Sequence, residues 1–219
     1  MRCLSEYKYI FLDLDGTVID SAAGVTNSVA YALNKLGYTV SDKSELMKFI
    51  GPPLSDSFRE FYALDDEQIS RGIGYYREYY SETGISECSL YENVENFLKE
   101  LKRSGKIISL ATSKPEIYAV RILKNLNIYD YFNLVAGSTL DSVRNGKTAV
   151  LKYAIDKLNV EDVSRAVLFG DRKHDVIGAH ECGIACVYML HGFGSMEEAT
   201  AYNADIILDD MAAALREIS

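Results

Sequence analysis

Phe11-Leu12-Asp13-Leu14-Asp15-Gly16-Thr17 is the stretch that decides how this chain is read. The run before it, Tyr7-Lys8-Tyr9-Ile10, is rich in β-forming residues, so both aspartates fall where a buried strand gives way to a loop. Open α/β sheets bind their ligands at that end of their strands. Two carboxylates with one residue between them, followed by a glycine and a hydroxyl, can hold a hard cation, attack an electrophile and shuttle a proton. Taken alone, Asp-Gly is also a common turn dipeptide, and that reading stands until other stretches join it.

Three later stretches do so, each in a fixed order along the chain. Ile107-Ile108-Ser109-Leu110-Ala111 is an apolar run followed by Thr112-Ser113, Lys147 opens a helical pattern, and Ala166-Val167-Leu168-Phe169-Gly170 leads into Asp171 and Asp175. With these residue types in this order, the chain resembles the haloacid-dehalogenase-like (HAD) superfamily of phosphohydrolases, and within it the phosphoglycolate-phosphatase-like group. The resemblance extends over essentially the whole chain.

It implies an α/β fold, a Rossmann-like doubly wound parallel sheet with an inserted all-helical cap, and a set of roles. Asp13 would be the nucleophile, and Asp15 would protonate the leaving alcohol and then activate water. Mg²⁺ would be held by the Asp13 carboxylate, the Asp15 backbone carbonyl and Asp171, supported by Asp175. Thr112 and the backbone of Ser113 would bind a phosphoryl oxygen, with Gly16 and Thr17 also at the substrate, and Lys147 would neutralise the phosphate and the nucleophile. A helix cap is an equally good reading of Thr112, and a solvated helix-start residue is the plainer reading of Lys147. Many relatives carry proline after this lysine, whereas here the sequence is Gly146-Lys147-Thr148, and Arg144 is an alternative cation.

The pattern of the chain agrees with an insertion. Val25, Val29, Ala32, Leu33 and Leu36 recur at helical spacing ahead of Gly37. Asp42 and Glu45 predict a second helix to Ile50, stopped by Gly51-Pro52-Pro53. Helical patterns follow over 54–62 and 65–83, the latter with Tyr75, Tyr76, Tyr79 and Tyr80 as a packing stripe. Strand and helix then alternate from Glu92 to the end, which predicts right-handed crossovers and a parallel sheet. The expected boundaries are 1–18 with 86–219 for the catalytic core and 19–85 for the cap. Within the cap, Arg59 could meet an anionic leaving group or could simply be a surface residue.

Composition removes other classes. The chain has 219 residues, 48% of them hydrophobic and 25% charged, values of an ordinary globular protein large enough for a substantial core. A net charge of −9 argues against nucleic acid as a partner. No apolar run approaches the ~18 residues of a bilayer span, and nothing near Met1 reads as a signal peptide. Cys3, Cys88, Cys182 and Cys186 form no C-x-x-C pair and read as reduced thiols. A cytoplasmic monomer or homodimer acting on a small phosphate ester is expected.

Two other activities share parts of this pattern. A sugar phosphomutase shares the phospho-aspartate step and keeps water from it. A signalling receiver domain, which would hold a stable phospho-aspartate, is about half this length and carries its aspartate on a middle strand. Haloacid dehalogenases lack the second aspartate, because a halide leaves without a proton, so Asp15 argues against that chemistry.

Overall fold

The structure is a computed structural model that describes residues 3–141 and 143–218. Its centre is β1 (Tyr9–Leu12), buried at every position, as a strand covered on both faces must be. Five more strands lie parallel in the same sheet: β2 (Ile107–Pro115), β3 (Leu134–Ser138), β4 (Ala166–Gly170), β5 (Ala185–Met189) and β6 (Ile206–Leu208). Their order is β3-β2-β1-β4-β5-β6. That is the doubly wound arrangement, and the strand order reverses between β1 and β4. Leu12 is in register with Leu110 on one side and with Phe169 on the other, so β1, β2 and β4 end side by side.

The chain divides into two compact units, Met1–Asp20 with Leu90–Ser219, and Ser21–Ser89. The second unit holds α1 (Ala22–Lys35), α2 (Leu54–Tyr62) and α3 (Asp66–Glu82). Asp65 caps α3 by accepting the Gln68 amide at 2.8 Å while the Gln68 side chain returns to the Asp65 amide at 3.2 Å. Tyr76 and Tyr80 of the tyrosine stripe are buried and stacked 5.3 Å apart, which makes it packing surface. The helix predicted from Asp42 to Ile50 is instead a 3₁₀ helix over Lys43–Phe49. Asp42 does cap it, accepting the Ser44 amide at 2.8 Å, and the Gly51-Pro52-Pro53 breaker follows its end.

In the first unit, helices cover both faces of the sheet: α4 (Val94–Arg103), α5 (Glu116–Asn125), α6 (Lys147–Lys157), α7 (Lys173–Glu181), α8 (Met196–Ala201) and α9 (Met211–Ile218). Successive strand residues point to opposite faces. Thus Leu168 joins Phe11, Val150, Leu151 and Val176 in one cluster, while Phe169 meets Phe97 of α4 edge-on at 5.3 Å. Each large side chain buried this way contributes about 1.5–3 kcal/mol. The six-residue α8, too short to show a period, goes unread in the sequence. Among the described residues no helix is long and apolar enough to cross a membrane, and all four cysteines are free thiols.

Candidate active site

The strand reversal places two loops next to each other, the one after β1 and the one after β4. Asp13 continues the ladder past β1, its amide donating to the Phe169 carbonyl at 2.9 Å. Asp171 follows β4 directly, and Asp175 lies in the first turn of α7. Oxygens of Asp13, Asp171 and Asp175 lie within 4.8 Å of one another, and all three residues are buried. Asp175 Oδ2 accepts the backbone amides of Asp171 at 3.1 Å and Arg172 at 3.0 Å, tying the loop to the helix start. Asp171 is held at both oxygens, by the Thr17 hydroxyl at 3.3 Å and the Phe193 amide at 2.7 Å.

Gly16 makes that closeness possible. It has φ +84°, and a Cβ there would sit 2.1 Å from Asp171 Oδ2. Only glycine meets both demands. Gly16 and Thr17, expected at the substrate, are thus placed against Asp171, with Thr17 fully buried.

Lys147 opens α6 and reaches into this cluster. Its ammonium is 2.6 Å from Asp13 Oδ1 and 2.8 Å from Asp175 Oδ1, and it donates to the Ala111 carbonyl at 2.8 Å. Burial works against its charge, but the Asp13 and Asp175 carboxylates more than offset this and hold the ammonium above its ordinary value. Arg144 faces elsewhere. It donates to the Gly137 carbonyl at 2.6 Å, pairs with Glu116, and covers the Tyr153 ring at 3.9 Å. Between the two cations weighed from the sequence, Lys147 is the one at the carboxylates.

Three carboxylates against one ammonium leave a buried excess of negative charge. Burial, reinforced by Asp175 and only partly opposed by Lys147, pushes the Asp13 carboxyl up to about 6. Burial, then Asp175 and Asp13, raises Asp171 well above the usual carboxylate range. A cluster that resists its own ionisation, built from hard oxygen donors with no histidine or thiolate, fits a hard divalent cation such as Mg²⁺.

Thr112 and Ser113 lie on β2, the strand next to β1. Thr112 is buried, and its hydroxyl accepts the Lys114 amide at 3.1 Å rather than capping α5, while Ser113 is half-buried beside it. The Asp15 side chain stands outside the acidic cluster, with Oδ1 2.6 Å from the Lys114 ammonium. Arg59 is exposed and paired with Asp66 at 2.6 Å, an interaction worth little.

Three further residues brace the site; of these the sequence leaves Lys114 and Glu198 unread and gives His191 only as a non-catalytic histidine. For Lys114, its place two residues after Thr112 was a usable signal. Glu198 of α8 accepts the Lys173 amide at 2.7 Å, Arg172 Nε at 3.3 Å and the Tyr188 hydroxyl at 3.0 Å, bracing the loop that carries Asp171. His191 donates from Nε2 to the Thr17 carbonyl at 3.1 Å and contacts the Tyr91 ring with centroids 4.3 Å apart. Nothing near Glu198 or His191 in the sequence marks them.

The chain is similar to several known proteins. The model of the family described as haloacid dehalogenase-like hydrolase matches residues 9–189. A 5'-nucleotidase of Pseudomonas aeruginosa is 34% identical over 97% of this chain and 95% of its own length. Tyrosine-protein kinase PtkA of Mycobacterium tuberculosis is 36% identical over 84% of this chain and 62% of its own. The crystal structure of a predicted phosphatase from Clostridium acetobutylicum superposes with a TM-score of 0.94 at 40% identity, covering 98% of this chain and 99% of that one. With the family model matched over residues 9–189, a span that includes Asp13, Thr112, Lys147 and Asp171, the chain belongs to the haloacid dehalogenase-like hydrolase family.

Proposed function

We propose that this hydrolase is a Mg²⁺-dependent phosphatase of a small phosphomonoester, working through an aspartyl-phosphate on Asp13. The observation that carries the reading is the buried cluster of Asp13, Asp171 and Asp175 around the Lys147 ammonium. A phosphomonoester dianion repels a carboxylate nucleophile, so positive charge is needed between them. Mg²⁺, held by Asp13, Asp171, Asp175 and the Asp15 carbonyl, would supply that charge and bind a phosphoryl oxygen.

The chain's own residues do the rest. Lys147 keeps the nucleophile oriented and adds a second positive charge at the phosphate. The Thr112 hydroxyl and the Ser113 amide bind a phosphoryl oxygen. Asp13 attacks phosphorus as Asp15 gives its proton to the departing alkoxide. Asp15, now a carboxylate, takes a proton from water, whose oxygen attacks the same phosphorus and releases phosphate from Asp13. The helical unit Ser21–Ser89 acts as the cap that selects the leaving group. Relatives that carry names as different as nucleotidase and protein kinase support placing substrate choice outside the shared core.

The test is phosphate release from phosphoglycolate, nucleoside monophosphates, sugar phosphates, pyrophosphate, phosphotyrosine and an aryl phosphate, with Mg²⁺ or with chelator. Turnover that requires Mg²⁺ and vanishes in Asp13→Asn is expected. Transfer of phosphate between positions of a sugar phosphate, without release, would replace this reading with the phosphomutase.

A further inference from the structure

Asp15 and Lys114 are 99 residues apart in sequence and meet at 2.6 Å. Their side chains keep only 13% and 7% of their exposure. A lysine that gives up nearly all its water needs a specific partner, because its ammonium is otherwise strongly hydrated. Lys114 lies where β2 loses regular register, between Ala111 and Pro115, and its amide is turned back onto the Thr112 hydroxyl at 3.1 Å. One irregular strand end thus delivers both the phosphate-binding hydroxyl and a lysine aimed at Asp15. The two lysines divide the carboxylates between them, Lys147 on Asp13 and Asp175, Lys114 on Asp15.

We propose that Lys114 is the positioning residue for the acid–base carboxylate, holding Asp15 by Oδ1 and leaving Oδ2 to exchange protons with the leaving group and with water. The proposal rests on the phosphatase reading. In the first step the bond from Asp13 oxygen to phosphorus forms, the bond from phosphorus to the alcohol oxygen breaks, and the Oδ2 proton goes to that oxygen. In the second, Oδ2 takes a proton from water as the water oxygen bonds to phosphorus and the Asp13 ester bond breaks. Lys114 touches no reacting atom and keeps its own protons throughout. Proton transfer of this kind requires the donor within hydrogen-bond reach of one oxygen, so a free Asp15 rotamer would forfeit most of it.

The test exploits leaving groups. An aryl phosphate loses a phenolate that needs no proton, whereas the phosphate of a neutral alkyl alcohol, such as glycerol phosphate, loses an alkoxide that does. For Lys114→Gln with Mg²⁺, kcat/KM on the alkyl ester should fall by about 100-fold or more. On the aryl ester kcat/KM should stay within about 3-fold, and a burst of phenolate equal to the enzyme concentration should appear, because Asp15 still has to activate water in the second step. Lys114→Arg, which keeps a cation, should recover part of the alkyl activity.

Equal losses on both esters, a change confined to KM, or no change at all would each overturn the assignment. If Lys114→Gln does not fold, the same ratio of alkyl to aryl kcat/KM is read from Lys114→Arg, where an unchanged ratio counts against it. Wild-type protein that hydrolyses neither ester would instead sink the phosphatase reading, so the two failures are separable.

Discussion

Gly16 and Asp171 stand so close that a Cβ on the glycine would lie 2.1 Å from the Asp171 Oδ2. The loop after β1 and the loop after β4 are therefore in direct contact at the acidic cluster. Gly16→Ala should push Asp171 from its hold on the Phe193 amide and strain a backbone at φ +84°. The left-handed strain costs about 1–2 kcal/mol. Turnover with Mg²⁺ should fall far more steeply than stability, since a small shift of a catalytic group costs about 100-fold. Parallel thermal melts and initial rates check this; a variant with wild-type rates would show that the contact is not needed.

Ionised carboxylates in the cluster oppose folding when no cation is bound. Asp13 sits at about 6 in the folded protein against about 4 in an unfolded chain, so its charge contributes instability that grows as pH rises between those values. Metal-free protein should gain stability from this group as pH falls from about 6 to about 4. His191, held below its ordinary value by burial, works in the opposite sense as pH falls below about 6.5, so the site is isolated by comparison with a variant. Asp171→Asn should melt higher than wild type in chelator at neutral pH, and should lack the rise in melting temperature that Mg²⁺ is expected to give wild type. Calorimetry across pH, with and without Mg²⁺, measures both.

Lys147 pairs with Asp13 and Asp175, and Lys147→Met would leave both without its ammonium. Removing one partner of a buried ion pair costs about 3–5 kcal/mol. Urea denaturation should show a loss of that size, with kcat reduced at least about 100-fold. Gly178→Ala should give a milder version, because a Cβ there would lie 2.7 Å from Lys147 Cγ and displace the side chain.

Glu198 gathers the Lys173 amide, Arg172 Nε and the Tyr188 hydroxyl. Glu198→Ala removes the acceptor these groups share and should cost about 1–3 kcal/mol. The Asp171 loop would then be less well held, weakening Mg²⁺ binding by about 10–100-fold. A Mg²⁺ titration followed by thermal shift separates the two effects, and an unchanged Mg²⁺ midpoint would confine Glu198 to a structural role.

What the amino-acid order determined by itself is local. Acidic residues directly after apolar strands, helical periods such as that of α1, and the breaker Gly51-Pro52-Pro53 follow from nearest-neighbour chemistry, so the strands, most helices and the aspartates at their ends are legible. The sequence reading also reached Lys147, though only by analogy, because a lysine opening a helix is ordinarily solvated. Tertiary structure decided which side chains meet. The order β3-β2-β1-β4-β5-β6 sets Asp13 beside Asp171, brings Lys114 onto Asp15 and lets Glu198 of the short α8 hold Arg172 and Lys173. Such partners are joined by the closing of the sheet rather than by spacing along the chain. A contact across 99 residues, like that of Lys114 with Asp15, leaves no periodic trace, and its cost in chain entropy is met by the packing of the whole domain.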